Sequence, residues 1–321
     1  MNKTDTKPSL HVVIGAAGSI GAEITRQLTA SGKLVRGLVR SIPKHSNNID
    51  YVIADAMNQD ELVSACEDAI YVYHCLNVPY EKWCDVMPVV TKNVLEAVKQ
   101  AKAKLIFVGN VYGYGRLQNI PVSESHPMVA ETKKGALRNQ LEDMLWRAHH
   151  AEESKVVIAR FPDFYGPGVV NGLMKPIFDA AITGGKCSWP AALDVQHDLV
   201  FIGDAARACI LLAEKESSYG ESWHVPGAGS LTGRDFIEMV YRETGSKPAA
   251  SVLSKWMLTA AGFFNAGAKE LIELLYEFSE PLILDGSKFA NKFPDFKYNP
   301  HQEAVVQTVD WYKQQVEEIA K

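Results

Sequence analysis

Apolar residues along the chain keep two alternating rhythms. "LHVVIGA" (10–16) is a short, nearly continuous apolar run, the pattern of a strand covered on both faces. Residues 19–31 follow with helical spacing and are closed by Gly32. The rhythm then repeats. "LVRGLV", "YVIAD", "AIYVYHC", "KLIFVGN" and "KVVIARF" read as strands, and helices are expected at 58–67, 86–102 and about 131–150. The turn-rich stretch "SIPKHSNN" separates the second and third strands. Such alternation predicts an α/β fold: a Rossmann-type, doubly wound parallel sheet of about seven strands with helices on both faces.

After residue 166 the rhythm changes. Gly and Pro become frequent, and the strands "HDLVFI" and "SWHVPG" stand apart. Helical patterns follow at 204–215, 233–244, 252–278 and 301–319. The expected division is a dinucleotide-binding domain over 1–168, to which the chain returns at about 195–226. A small C-terminal substrate lobe takes 169–194 and 227–321.

Composition narrows the function classes. The chain has 321 residues, 47% of them apolar, enough for a sizeable core. Its net charge of -5 argues against general nucleic-acid binding, which needs basic surface. No apolar run has the length of a membrane span. Five scattered cysteines without a CxxC pair read as reduced thiols. The nine histidines show no ligand spacing, so no metal is expected. A cytoplasmic protein acting on a small molecule is the expectation.

The chemistry begins at "VIGAAGSIGAEI" (13–24). Its glycines, Gly15, Gly18 and Gly21, stand between a strand pattern and a helix pattern. In that context GxxGxxG is a dinucleotide cradle. The first glycine makes the tight turn, the second admits the pyrophosphate, and the third lets helix and strand pack closely. The helix N-terminus then offers free N–H groups to the phosphates. An acid gripping a ribose 2′-hydroxyl belongs at the end of the second strand. No carboxylate occurs between Glu23 and Asp50; Arg40 stands there, with Lys44 close behind. A guanidinium suits a 2′-phosphate, so NADP(H) is expected over NAD(H). Asp55, ending the third strand, is placed either to meet the adenine amino group or to cap the next helix.

The same chain resembles the extended short-chain dehydrogenases/reductases of the NAD-dependent epimerase/dehydratase type. Beyond the glycines, the likeness rests on "TKNVLEAVKQAK" before "LIFVGN", "ARFPDFYGPGV", "HDLVFIGDAARAC", "GESWHVPGAGSLTGRDF" and "VVQTVDWYKQ", in family order. "TKKGALRNQLEDML" and "LLYEFSEPLILD" are similar to an atypical subgroup with a degraded active site. The resemblance implies a cofactor site that also includes Ser19, Ile20, Ala56, Leu76, Val108 and Pro162. It also implies a homodimer through the helices at 86–102 and 131–150.

The departures from the family concern its active site. The family carries Ser or Thr after the fifth strand, and Tyr-x-x-x-Lys on the next helix. Here Asn110 takes the first place, and no tyrosine occurs between Tyr114 and Tyr165. The helix reads "ETKKGALRNQ", so the pair becomes Thr132/Ala136 or Lys134/Arg138, neither a competent copy. Residues that hold a nucleotide diphosphate in sugar-acting members are replaced by Asp163, Gly168 and His197, which counts against that substrate.

Three residues are the candidate replacements. Asp163, at the mouth where nicotinamide and substrate would meet, is a candidate proton donor, with a loop hydrogen bond as the alternative. Lys134 (or Lys133) is a second donor, or else a solvated helix start. Asn110 can orient a carbonyl without ionising. Tyr112 and Tyr114 either reach the pocket or pack as core. Three functions follow: an NADP(H)-dependent oxidoreductase of a small non-nucleotide carbonyl or alcohol, an inactive dinucleotide sensor, or a sugar epimerase/dehydratase. Arg40→Ala is expected to weaken NADPH binding by about tenfold or more, and NADH binding little. Titration of both cofactors into the variant checks this.

Overall fold

The computed structural model describes residues 9–43, 49–262 and 272–320. The main sheet has seven strands, all parallel: β1 (Leu10–Ile14), β2 (Leu34–Val39), β3 (Asp50–Ile53), β4 (Ala69–His74), β5 (Lys104–Asn110), β6 (Lys155–Phe161) and β10 (Ser222–His224). Their order is β10-β6-β5-β4-β1-β2-β3. The chain therefore moves outward from β1 through β2 and β3, then returns to place β4 on the other side of β1. That reversal opens a crevice at the carboxyl ends of β1 and β4, where open α/β sheets bind ligands.

Strand alternation sends successive side chains into two separate cores. On one face Val13, Ile106 and Val157 pack with α1 (Ser19–Ala30) and α6 (Ile202–Glu214). On the other, Val12, Ile14, Leu105, Phe107 and Ile158 pack with α2 (Gln59–Ala65), α3 (Trp83–Ala101) and α4 (Lys133–His150). Asn58 caps α2, its side chain accepting from Asp60 and Glu61. Thr132 caps α4 by accepting from the Gly135 N–H (3.1 Å).

The later chain departs from the expected pattern. Of the returning stretch, β10 joins the main sheet and α6 packs against α1, while β9 (Gln196–Phe201) does not join. It lies between β7 (Asp163–Tyr165) and β11 (Ser230–Thr232) in a second sheet. A third sheet pairs β8 (Cys187–Pro190) with β12 (Ala250–Leu253). The helix expected over 252–278 is instead the end of β12, then α8 (Lys255–Gly262), and, past the residues left undescribed, a 3-10 turn (Ile272–Leu274) and a short helix (Tyr276–Ser279). α5 (Met174–Thr183) and the terminal helix (His301–Ala320) pack with α7 (Gly233–Thr244).

All five cysteines are free, and only Cys84 is exposed. Among the described residues no helix is long and apolar enough to cross a membrane.

α4 is unusual in turning charged residues inward. Lys134, Arg138 and Glu142 are all buried, one turn apart on the sheet-facing side. Glu142 takes both Nε and Nη2 of buried Arg160, and Arg160 Nη1 donates to Tyr114 Oη at 2.6 Å. Removing one partner of such a pair strands the other charge in the interior. Glu142→Gln is expected to cost about 3–5 kcal/mol in urea unfolding.

Candidate active site

The glycine turn is built as its spacing requires. Gly15 has φ +84°, in the left-handed region, and a Cβ there would meet the Leu76 backbone at 2.9 Å. The loops after β1 and β4 thus touch across the crevice. The Gly15 and Ala16 N–H groups both donate to the Leu38 carbonyl (3.2 Å each) at the end of β2. A Cβ on Gly21 would lie 2.2 Å from the Gly15 carbonyl oxygen, so α1 and the turn pack without space for a side chain. Gly18 is exposed and starts α1 without a side-chain cap; no acid stands in the first turn. The first N–H groups of α1 therefore face outward beside open backbone, an arrangement that fits a pyrophosphate. Ile20 is buried beneath the turn. Ser19 Oγ donates to the Gly168 carbonyl (2.7 Å), tying the cradle to the loop that follows β7.

Arg40 ends β2 exposed, with no hydrogen bond or ion pair to any described residue. Lys44 lies outside the described residues. Asp55 is exposed, and its Oδ1 accepts from the Met57 N–H (2.9 Å); the helix cap considered for it is supplied by Asn58 instead. Ala56 is buried, and its carbonyl accepts from Asn93. Val108 is half-buried on β5, and Pro162 is buried between β6 and β7.

On α4, Thr132 is the cap and Ala136 is exposed, whereas Lys134 and Arg138 are both buried. Lys133 is exposed, as expected of a solvated helix start, but Lys134 is only 3% exposed. Its Nζ donates to Glu273 Oε1 (2.5 Å) and stands 5.2 Å from the centre of the Tyr80 ring.

Around this pair lie residues named in the sequence, Tyr112, Asp163 and His197, and others that the sequence did not point to, Tyr80, Tyr276 and Glu277. Tyr80 and Tyr112 share a hydrogen bond between hydroxyls (2.8 Å). Burial raises both phenols, that of Tyr80 to about 12, and the charges of Asp163 and Glu277 add to the effect. Both phenols stay protonated at neutral pH. Asp163 begins β7 with its side chain 23% exposed, and His197 Nε2 donates to its Oδ2 (3.1 Å). His197 in turn stacks on Phe278, with ring centres 4.8 Å apart. Glu277 is 6% exposed. Burial drives its carboxyl well above the ordinary carboxylate range, and the nearby Asp163 charge adds to this. Tyr276 Oη donates to Glu277 Oε1 (3.3 Å). Beside Glu277 is a cavity of about 10 Å³, lined also by Val111, Gly115, Tyr276 and Leu282. That is room for about one water.

The structure therefore brings Asp163 and Lys134 to one place, around Tyr80. Asn110 ends β5, where its Oδ1 accepts from the Tyr112 N–H (3.3 Å), leaving its amide NH2 to donate. Tyr114 does not reach the site. Its hydroxyl is bound to Arg160 and His224 Nε2 (2.5 Å) behind the sheet. Chemically, the arrangement offers a buried carboxyl shifted toward holding its proton, an aspartate with a histidine partner, and two basic groups.

Comparison with known proteins follows this geometry. The profile of the NAD dependent epimerase/dehydratase family matches residues 11–225. No curated protein matches the chain. Among solved structures, an epimerase from Methanothermobacter thermautotrophicus superposes with a TM-score of 0.81 at 18% identity, covering 98% of this chain and 94% of that one. The UDP-glucuronic acid 4-epimerase of Bacillus cereus, solved with NAD, gives 0.79 at 20% identity, covering 96% and 98%. The dTDP-glucose 4,6-dehydratase of Streptomyces venezuelae, with NAD and TYD bound, gives 0.78 at 17%, covering 96% and 98%. These likenesses carry the fold. With its glycine turn, its seven-stranded parallel sheet and a matching profile over residues 11–225, the chain belongs to the NAD dependent epimerase/dehydratase family.

Proposed function

We propose that the protein is an NADP(H)-dependent oxidoreductase of a small, non-nucleotide carbonyl or alcohol, with Glu277 as its proton donor in place of the missing tyrosine. The observation that carries this reading is the buried Glu277 carboxyl, which burial and the nearby Asp163 push well above the ordinary carboxylate range. Support for the cofactor comes from the Gly15–Gly21 cradle, and from the NAD found in relatives of the same fold. The exposed, unengaged Arg40 and the lack of an acid beside it support the 2′-phosphate.

The bound dinucleotide supplies or accepts a hydride. The chain's residues do the rest. The N-terminus of α1 and the glycine turn hold the pyrophosphate. The Asn110 amide donates to the substrate carbonyl oxygen and orients it. Glu277 passes its proton to that oxygen as the carbonyl carbon gains the hydride, so carbonyl, hydride and proton together make the alcohol. The Glu277 carboxylate left behind is buried next to Asp163, which favours its reprotonation from water. Asp163 is held in place by the hydrogen bond from His197.

A nucleotide-sugar epimerase or dehydratase is the second reading. It is favoured by the fold likeness to UDP- and dTDP-sugar enzymes and opposed by Asp163, whose charge repels a diphosphate.

The test is NADPH consumption with a panel of aldehydes and ketones, UDP-glucose in a parallel arm, and NADPH binding measured in the same samples. Turnover of a carbonyl compound is expected. Glu277→Gln is expected to lower kcat/KM by about 10²–10⁴ and leave NADPH affinity within about twofold. Tight binding with no turnover makes the protein a dinucleotide sensor. Turnover of UDP-glucose favours the second reading.

The same carboxyl leaves a mark on stability. Its raised value means the folded chain holds a proton that the unfolded chain releases above the ordinary glutamate range. Its contribution is complete below that range and is lost as pH rises through the raised value. Urea unfolding between about pH 5 and pH 8 is expected to show stability falling by up to ~1.4 kcal/mol per pH unit from this group. Glu277→Gln is expected to remove that part of the slope.

A further inference from the structure

The stripe on α4 leaves one charge without a counterpart. Lys134 is paired with Glu273, and Glu142 with Arg160. Between them Arg138 is 7% exposed and makes no hydrogen bond or ion pair to any described residue. Its Nε is buried and without a partner. The guanidinium instead stacks between aromatic faces, 4.4 Å from the centre of the Trp83 ring and 5.8 Å from that of Phe107. Beside it is His74, at the end of β4, whose Nδ1 is also buried without a partner. Burial and the Arg138 charge hold His74 neutral, with its pKa lowered to about 3. A buried cation next to a second orphaned polar atom is a place prepared for an anion.

Its surroundings say which anion. The pyrophosphate belongs at the α1 N-terminus beyond β1, and β4 separates β1 from β5. The Trp83 ring on which Arg138 stacks also packs against Tyr80 (4.8 Å) and Tyr112 (6.1 Å), and the Tyr80 hydroxyl feels the charges of Arg138, Asp163 and Glu277. A small molecule spanning Tyr80 and Tyr112 would have its reacting carbonyl at Glu277 and its far end at Arg138. A planar guanidinium fork suits a carboxylate, and a monoanion suffers less repulsion from Asp163 than a phosphate dianion does.

We infer that Arg138 anchors a substrate carboxylate, so that the substrate is an oxo acid or the corresponding hydroxy acid. This rests on the oxidoreductase reading above and names its substrate class.

The experiment compares oxo acids of increasing chain length with their methyl esters, using NADPH consumption by the full chain. For at least one acid, kcat/KM is expected to exceed that of its ester by at least about tenfold. In Arg138→Gln that ratio is expected to fall to about one, and Arg138→Lys is expected to keep part of it. Equal turnover of acids and esters by the wild type overturns the anchor and leaves carbonyl reduction standing. So does an Arg138→Gln variant that keeps the ratio but binds NADPH at least about tenfold more weakly, since Arg138 then serves the cofactor. If no carbonyl compound is turned over, the oxidoreductase reading fails, and thermal unfolding tests the anchor separately. Oxamate, but not neutral oxamide, is then expected to raise the Tm of the wild type and not that of Arg138→Gln. Absence of a wild-type shift, or an equal shift in the variant, overturns the proposal. Should Arg138→Gln fail to fold, the wild-type acid-to-ester ratio and Arg138→Lys decide the matter.

Discussion

Charge taken out of water must be compensated, and much of this molecule follows from how α4 meets that demand. A helix lying against a sheet ordinarily offers it apolar side chains. This one offers Lys134, Arg138 and Glu142 alongside Leu137, Leu141 and Leu145. Two of these charges, Lys134 and Glu142, pull in distant parts of the chain. Glu142 fixes Arg160 on β6, and through it Tyr114 and His224 on β10. Lys134 draws Glu273 from the C-terminal segment. The residues just after Glu273 then bring Glu277 to the carboxyl end of β6, where Asp163 waits.

The site is thereby assembled from two separate cores. The cradle depends on backbone geometry on the α1 side of the sheet, where glycines let strand, turn and helix come together. The acid–base groups depend on side chains from the α4 side and from the C-terminal segment. Lys134 and Arg138 put two cations on the inward side of α4. Burial pushes the Glu277 carboxyl and the Tyr80 and Tyr112 phenols upward.

What could be read from sequence was what is encoded locally. The main strands announce themselves as near-continuous apolar runs, and the cradle as three glycines, of which Gly15 and Gly21 stand where a Cβ would clash with backbone. Strands β7, β8, β11 and β12 have three or four residues each, too few for a period to show. Glu277 was hidden inside an expected long helix, and only the tertiary fold places it by Asp163. Tyr80, in "NVPYEKW", carries no motif at all. The start of α4 had a readable signal: a threonine directly before a helical run is a natural cap, and Thr132 is that cap.

The hydrogen bond from Ser19 to the Gly168 carbonyl bears on how a ligand would arrive. The Ser19 hydroxyl opens α1, just where an incoming phosphate must settle, and it is already spoken for. Uptake at this end of α1 is therefore an exchange of acceptors rather than a simple addition. The carbonyl set free belongs to the loop following β7, the strand that begins at Asp163. A ligand on the Ser19 hydroxyl and the position of the loop following β7 are thus coupled through a single proton donor.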